Sequence, residues 1–281
     1  MRILLLGKGG QVGDALIGAL APLGRVVSTG REALDLARPD SIRATVRQAR
    51  PDIIVNAAAS AAVDRAEVER DAAFAVNAIA PGVLGEEARK LGALLVHYST
   101  DYVYDGAKLG AYVEGDAPGP VNLYGESKLA GDHAIAASGC RHFIFRTSWV
   151  YSARGSNFLL TILRAARERL ELKVVNDQRG APTSAAAIAE ATARALAKPD
   201  AAPGIYHMSA AGETTWHGFA AAILEAAGLP TPLRAIRSEE YVTAARRPRN
   251  SLLDNAKLRA TFGVSLPDWR AGLAQVMREF A

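Results

Sequence analysis

A tyrosine and a lysine, Tyr124 and Lys128, stand one helical turn apart in a stretch that is predicted to be helical. Residues at this spacing lie on one face of a helix, which makes the phenol and the ammonium neighbours. The pair suits reduction of a carbonyl, because hydride addition leaves negative charge on the substrate oxygen and an acid must supply a proton. A free phenol has a pKa of about 10, and a nearby cation lowers that value. We therefore predict that Tyr124 donates the proton and that Lys128 lowers its pKa.

A third polar group, Thr100, directly follows the predicted strand 93–99. Ligands of open α/β sheets bind at the carboxyl ends of the strands. From that position Thr100 can hydrogen-bond both a substrate oxygen and the Tyr124 hydroxyl. Because a tyrosine and a lysine at this spacing also occur by chance on helix surfaces, the catalytic interpretation depends on all three residues together with a glycine-rich loop.

This glycine-rich loop spans residues 7–13, between a predicted strand and a predicted helix. Gly7 permits a tight turn, Gly10 lets backbone N–H groups approach a pyrophosphate, and Gly13 lets the helix pack close to the strand. The context is typical of dinucleotide-binding proteins, whereas the glycines alone would also fit a purely structural turn. The predicted cofactor contacts from this loop are Gly7, Gly10, Gln11, Val12 and Gly13.

The end of the second predicted strand bears on the choice between NADPH and NADH. An NAD-selective site usually has a carboxylate there, and this chain has Gly30 followed by Arg31. The Arg31 guanidinium can pair with a 2′-phosphate, which favours NADPH, although an ordinary solvated arginine and use of NADH both stay open. Further predicted cofactor contacts are Asp35 and Leu36 near the adenine, and Ala59, Ser60 and Ala61, whose small side chains leave room for the cofactor.

Short apolar runs such as 3–6 and 53–55 alternate with longer amphipathic stretches through the first half of the chain. Continuous apolar strands with helices between them predict a parallel sheet that is covered on both faces. After about Trp149 the alternation weakens and prolines become frequent. We therefore predict an α/β fold with a Rossmann-type doubly wound sheet. A dinucleotide-binding domain would span 1–148, with some later segments returning to the sheet, and 149–281 would be mainly a smaller substrate-binding lobe.

Composition narrows the function classes. The chain has 33 basic and 29 acidic side chains, and this mild excess is spread along the sequence, so nucleic-acid binding is not predicted. The single cysteine, Cys140, excludes an intramolecular disulfide, and the histidines lack the spacing of metal ligands, so no metal site is predicted. Because we find no long apolar run and no signal-peptide pattern, we expect a cytoplasmic protein without a membrane partner.

Motifs along the whole chain resemble those of the dTDP-4-dehydrorhamnose reductases, which belong to the extended short-chain dehydrogenase/reductase family. The matching stretches are 7–13, 55–59, 62–67, 97–104, 124–131, 146–151, 177–183 and 247–251. The chain departs from the family pattern at Ser60 and Ala61, which replace bulkier residues, at Gly30, where some members have aspartate, and at Asp132, which replaces the usual glutamate.

The resemblance implies reduction of the C4 ketone of dTDP-4-dehydro-β-L-rhamnose by NADPH, a step that supplies surface-polysaccharide synthesis. It implies that Tyr124 is the proton donor, assisted by Lys128 and Thr100, and that Tyr98 also contacts the cofactor. The implied substrate contacts are Thr100, Asp101 and Trp149, although Trp149 would equally fit an apolar core. A homodimer is a further expectation, and the chemistry requires no metal.

Two other classes of protein share part of this pattern. Sugar-nucleotide dehydratases and epimerases have the same fold, and dehydratases follow the threonine with an Asp-Glu pair. Here Asp101 is followed by Tyr102, which favours simple reduction. A non-catalytic, NADP-binding regulatory subunit also resembles the family, and the presence of Thr100, Tyr124 and Lys128 argues against it.

Overall fold

A parallel sheet of six strands forms the centre of the computed structural model, which describes residues 1–280. In chain order the strands are β1 (Arg2–Leu6), β2 (Arg25–Thr29), β3 (Ile53–Asn56), β4 (Leu94–Thr100), β5 (Arg141–Thr147), β6 (Val150–Tyr151), β7 (Leu172–Val175), β8 (Arg179–Gly180), β9 (Thr183–Ser184), β10 (Gly204–His207), β11 (Thr214–Thr215) and β12 (Leu233–Ile236). The central sheet has the spatial order β2-β1-β3-β4-β5-β10, and all of its pairings are parallel. The prediction of a Rossmann-type α/β fold is confirmed.

Helices cover both faces of this sheet. In chain order they are α1 (Gln11–Leu20), α2 (Pro39–Ala49), α3 (Val63–Ala66), α4 (Arg70–Phe74), α5 (Ala80–Leu91), α6 (Leu123–Ser138), α7 (Phe158–Glu168), α8 (Ala185–Ala195), α9 (Trp216–Ala226), α10 (Ala256–Phe262) and α11 (Trp269–Met277). The core on one face includes side chains of α1, α8 and α10, and the core on the other face includes side chains of α2, α5 and α6. Every residue of β3 and β4 is buried as a result, which explains the apolar runs 53–55 and 94–96 with which they begin.

The chain after Trp149 contributes to two separate cores. Its α8, β10 and α10 belong to the central sheet and to the core against α1. Its α7, α9 and α11 pack with the short parallel pair of β7 and β12 around a second apolar core. The proline-marked loops of the sequence therefore contain short strand pairs, which are too brief to produce a hydrophobic period.

The strand order places a crevice at the carboxyl ends of β1 and β3. After β2 the chain crosses back over β1 to form β3, and the following strands extend the sheet in the opposite direction. The register aligns Leu6 with Asn56, and Asn56 with His97. Because parallel strands end at the same edge, the loops that follow β1, β3 and β4 are neighbours there.

A π-helical turn, Ala75–Ile79, lies between α4 and α5 and interrupts an otherwise continuous helical stretch. Its Asn77 is buried, and the side chain bonds Ser60 and Ser127 rather than solvent. A turn with one extra residue rotates a side chain relative to the rest of the helix, and such turns often occur at functional sites. Sequence periodicity does not reveal it because the residues on either side are good helix formers.

The contact between Gly7 and Gly13 gives a test of the loop. A Cβ on Gly13 would overlap the carbonyl oxygen of Gly7, whereas a Cβ on Gly18, later in α1, meets nothing within 4 Å. We expect Gly13→Ala to lower the free energy of unfolding by roughly 1–3 kcal/mol because backbone atoms must move apart. Gly18→Ala should raise it by about 0.5–1 kcal/mol. Urea unfolding of both variants measures this, and equal effects would contradict the contact.

Candidate active site

The glycine loop presents free space and backbone N–H groups at the start of α1. Gly7 has a φ of +88°, its N–H bonds Thr29, and a Cβ there would lie 2.7 Å from the nitrogen of Ala58. A Cβ on Gly9 would meet nothing within 4 Å. The first N–H groups of a helix have no intrahelical partner, so this end of α1 suits an anionic group such as a pyrophosphate.

A carboxylate that sequence reasoning missed lies at the end of β2. Glu32 folds back over Gly30 and pairs with Lys8 of the glycine loop at 2.5 Å. The bond from Lys8 lowers the pKa of Glu32. Arg31, Asp35 and Leu36 follow in the same loop, where Arg31 and Asp35 are exposed and Leu36 is half-buried. A negative and a positive group are therefore both close to the position where a dinucleotide would place its adenosine ribose.

The loop after β3 is held by Asn77. The Asn77 amide accepts a hydrogen bond from the Ser60 N–H at 2.8 Å and donates one to the Ser60 carbonyl at 3.0 Å. It also donates to the Ser127 hydroxyl, on α6, at 3.0 Å. The predicted contacts Ala59, Ser60 and Ala61 thus lie in a loop that one buried amide ties to the helix carrying Tyr124 and Lys128.

The start of α6 fixes the position of Tyr124. Asn122 caps the helix by accepting from the N–H of Gly125 at 2.8 Å, and Glu67 accepts from the N–H of Leu123 at 2.9 Å. Gly125 also permits close packing, because a Cβ there would overlap the carbonyl oxygen of Tyr102. Two capped donors and one tight backbone contact hold the first turn of α6 against the loop that follows β4.

Thr100 and Tyr124 come together at the end of β4. The Thr100 hydroxyl lies close enough to the Tyr124 phenol to lower its pKa, donates to Asp101 at 3.1 Å and accepts from the Tyr102 N–H at 3.1 Å. Burial raises the pKa of Tyr124 to about 12, and the Thr100 hydroxyl opposes this shift. Both predicted residues are therefore neighbours at the carboxyl edge of the sheet.

Lys128 is buried one turn further along α6. Its Nζ donates to the carbonyl of Tyr98 at 2.6 Å and lies 3.1 Å from Nε2 of His97. Burial lowers the pKa of Lys128 to about 8, and the negative charge of Asp132 opposes this. The expectation that Lys128 lowers the pKa of Tyr124 stays a prediction: in this structure burial dominates at the phenol, and the Lys128 ammonium bonds the Tyr98 carbonyl.

Asp101 combines deep burial with an unused acceptor. It is 3% exposed, and burial raises its pKa to about 7. Its Oδ1 accepts from Thr100, whereas Oδ2 has no hydrogen-bond partner within residues 1–280. A buried carboxylate oxygen without a donor is costly, and a ligand hydroxyl would satisfy it.

The predicted contacts Tyr98 and Gln11 use part of their polar groups within the protein. The Tyr98 hydroxyl forms a hydrogen bond of 2.7 Å with the hydroxyl of Thr192 on α8, and it is the backbone carbonyl of Tyr98 that reaches Lys128. The side-chain oxygen of Gln11 accepts from the hydroxyl of Ser152 at 2.9 Å and from the side-chain amide of Asn157 at 2.8 Å. Gln11 therefore ties the glycine loop to the segment that precedes α7.

Trp149 is mostly inside the protein. It is 9% exposed, and its ring stacks on Trp216 with a centroid distance of 3.6 Å. Its φ of +49° is unusual for a residue with a side chain and indicates a position fixed by its surroundings. Most of the Trp149 surface is therefore buried, as expected of a core tryptophan, which is the alternative that the sequence left open.

A buried polar network lies beneath the site. Asp132 accepts from both Arg146 and Ser99, and Arg146 also donates to the Tyr104 hydroxyl at 2.9 Å. Tyr104 in turn contacts His207 at 2.8 Å. These bonds join α6, β4, β5 and β10. Asp132, which departs from the family pattern, contributes the one carboxylate among these residues.

Neither a metal cluster nor a membrane helix is found in the part of the chain that the structure describes. No three histidine, cysteine, aspartate or glutamate side chains of residues 1–280 converge in a way that could hold a metal ion. The helices of the same residues are too short or too polar to cross a bilayer.

Two arginines of β5 give a matched test of the network. We expect Arg146→Met to lower the free energy of unfolding by about 3–5 kcal/mol, because it leaves the Asp132 carboxylate buried without its cation. Arg141→Met removes an exposed pair with Asp200 and should cost at most about 1 kcal/mol. Urea unfolding at neutral pH measures both, and a cost for Arg146→Met as small as that of Arg141→Met would contradict the importance of the pair.

Comparison with known proteins identifies the family. The family model described as "RmlD substrate binding domain" matches residues 1–281. The chain is 48% identical to dTDP-4-dehydrorhamnose reductase of Burkholderia thailandensis, with 99% of both chains covered. It is 46% identical to the enzyme of the same name from Escherichia coli strain K12, over 99% of this chain and 98% of the relative.

A solved structure agrees with these relatives. The crystal structure of dTDP-4-dehydrorhamnose reductase from Bacillus anthracis in complex with NADP superimposes with a TM-score of 0.95, at 34% identity and with 99% of both chains covered. Sequence and structure thus match over 99% of this chain. The chain belongs to the dTDP-4-dehydrorhamnose reductase family.

Proposed function

We propose that this chain reduces the C4 ketone of dTDP-4-dehydro-β-L-rhamnose with NADPH to give dTDP-L-rhamnose. The observation that carries the proposal is the proximity of Thr100 and Tyr124 at the carboxyl edge of β4, with Lys128 one turn further along α6, beside the crevice after β1 and β3. The names of the relatives at 48% and 46% identity supply the substrate. A nucleotide sugar would place the reaction in the cytoplasm.

The residues around the glycine loop fit a dinucleotide. Gly7, Gly10 and Gly13, with the N–H groups of Gln11 and Val12, would hold the pyrophosphate at the start of α1. Lys8 and Arg31 would meet a 2′-phosphate, and Asp35 and Leu36 would lie by the adenine. Lys128 would bind the nicotinamide ribose, and Ala59, Ser60, Ala61 and the Tyr98 carbonyl would border the nicotinamide end. NADPH, when bound, supplies the hydride.

Tyr124 would donate the proton to the substrate oxygen, and Thr100 would assist it. As negative charge develops on the substrate oxygen, the Tyr124 hydroxyl would donate to it, and the nearby Thr100 hydroxyl would hydrogen-bond the phenolate oxygen. The pKa of about 12 at Tyr124 keeps the phenol protonated before the reaction. The charge of Lys128, one turn away, then stabilises the phenolate that remains after the transfer.

The substrate side of the site is Asp101. Its unpartnered Oδ2 can accept a hydrogen bond from a sugar hydroxyl, which would fix the ring relative to Tyr124. The exposed edge of Trp149 would form an apolar wall for the sugar, although most of the ring packs on Trp216. A dehydratase is disfavoured because Tyr102, whose N–H bonds Thr100, stands where a dehydratase has its glutamate.

The proposal is tested by mixing the purified chain with NADPH and a panel of 4-keto nucleotide sugars while the absorbance of the reduced cofactor is followed. We expect oxidation of NADPH with the dTDP-4-dehydrorhamnose substrate and formation of dTDP-L-rhamnose. Binding of NADPH without turnover of any ketosugar would instead support a non-catalytic, NADP-binding subunit.

Two neighbouring tyrosines distinguish acid catalysis from packing. We expect Tyr124→Phe to lower kcat by about 10²–10⁴-fold because the proton donor is lost, with little change in NADPH binding. Tyr102→Phe is the control, since its ring packs edge-on against Tyr124 at 5.7 Å, and it should stay within a few-fold of the parent. Full activity of Tyr124→Phe in steady-state assays would remove this residue as the acid.

The charges around Gly30 should set the preference between the cofactors. We expect Arg31→Ala to weaken NADPH more than NADH, since only NADPH has the 2′-phosphate. We expect Glu32→Gln to strengthen binding of NADPH relative to NADH, because it removes a negative charge and releases Lys8 from its pair. Fluorescence titration with both cofactors measures the two ratios, and equal losses for NADPH and NADH in Arg31→Ala would show that Arg31 does not bind the phosphate.

A further inference from the structure

His97 lies directly behind Lys128 and has no part in the reaction proposed above. It is 0% exposed, in the middle of the sheet on β4. Its Nε2 lies 3.1 Å from the Nζ of Lys128, and its Nδ1 lies 3.1 Å from the Nδ2 of Asn56. Asn56 is its neighbour on β3 and is also buried. Three buried side chains therefore form a continuous hydrogen-bonded row.

The row ends at the cofactor crevice. The Oδ1 of Asn56 accepts from the N–H of Ala58 at 3.2 Å. The same Ala58 nitrogen is the atom that a Cβ on Gly7 would approach at 2.7 Å. Lys128 at one end of the row and the backbone beside the glycine loop at the other are thus connected through His97 and Asn56.

A neutral imidazole has one donor nitrogen and one acceptor nitrogen, so the direction of the hydrogen bond on one side of His97 fixes the direction of the bond on the other side. Burial and the nearby Lys128 charge lower the pKa of His97, so the ring is neutral. With Asn56 oriented as in this structure, Nδ1 accepts from the Asn56 amide, and Nε2–H can bond Lys128 only when Lys128 is an uncharged amine. When Lys128 is an ammonium, Nε2 must accept, and Nδ1–H then requires the oxygen of Asn56.

We propose that His97 is a positioning residue that, with Asn56, controls the charge of Lys128 and links it to the Ala58 N–H at the cofactor crevice. Charging Lys128 switches the tautomer of His97 and turns the Asn56 amide, which releases Ala58. The role in catalysis rests on the proposed function, because it acts through Lys128.

Other charged groups around Lys128 leave this role to His97. Asp132, on the same helix, raises the pKa of Lys128, but its carboxylate is paired with Arg146 of β5. Tyr124 precedes Lys128 by one turn of α6, and Asp101 lies at the end of β4 beside Thr100. Nζ of Lys128 hydrogen-bonds the imidazole of His97 and the carbonyl of Tyr98, and it bonds none of the other charged or titratable groups just named.

The charge of Lys128 can be measured without turnover. Protein labelled with ¹³C at lysine Cε is titrated by NMR, and Lys128→Met identifies the signal. We expect His97→Phe to lower the midpoint of Lys128 by about one pH unit, because the ammonium loses an acceptor whose bond is stronger than the one to the neutral amine. His97→Leu is a second apolar variant in case the larger ring is not accommodated.

Two further variants separate this role from packing. His97→Gln keeps an amide oxygen within reach of Lys128 and should titrate close to the parent. Ile144→Val changes the buried cross-strand neighbour of His97 without a polar group, and should lower Tm without moving the Lys128 midpoint. An unchanged midpoint in the apolar variants, or an equal shift in His97→Gln, would overturn the proposal.

The pH profile of kcat/KM gives the second readout. In the apolar variants the alkaline limb should move to lower pH by the same amount as the NMR midpoint, and in His97→Gln it should stay in place. A parent protein that reduces no ketosugar would contradict the proposed function, whereas the NMR titration would still decide the effect of His97 on Lys128. A shifted NMR midpoint with an unmoved alkaline limb would overturn the catalytic part of the role.

Discussion

The buried ammonium of Lys128 imposes the strictest requirement on this structure, because a charge removed from water must be hydrogen-bonded or lose its proton. The parallel sheet meets this requirement by bringing the carbonyl of Tyr98 and the imidazole of His97 to the same point of β4. Asp132 adds a negative charge one turn further along the helix, and Arg146 in turn neutralises it. The polar interior of this half of the molecule is thus organised around one lysine.

The cofactor crevice depends on close backbone contact at the switch in strand order. Gly7 and Gly13 allow the first strand, the first helix and the Ala58 backbone to approach each other, which no larger residue would permit. Asn77, in its π-turn, ties the loop after β3 to α6. These contacts connect the glycine loop and the loop after β3 to the helix that carries Tyr124 and Lys128, and hydride transfer requires such close positioning of cofactor and acid.

Patterns within short stretches of sequence predicted the sheet, the glycine loop and the meeting of Thr100 with Tyr124. They succeeded because strand ends and helical faces follow from local periodicity. Features that depend on distant residues were missed. Glu32 reaches back to Lys8, and Trp149 is covered by Trp216 from beyond residue 200. The direction of the Lys128 ammonium was also missed, since it is set by β4 rather than by its own helix.

The most direct test of the central claim is a crystal structure of the chain with bound NADP and the ketosugar or its product. The account predicts that the nicotinamide C4 and the Tyr124 hydroxyl both approach the sugar C4 group within about 3–4 Å, with Lys128 on the nicotinamide ribose. A nicotinamide ring bound away from Tyr124, or a sugar held with its C4 group out of reach of that hydroxyl, would contradict it.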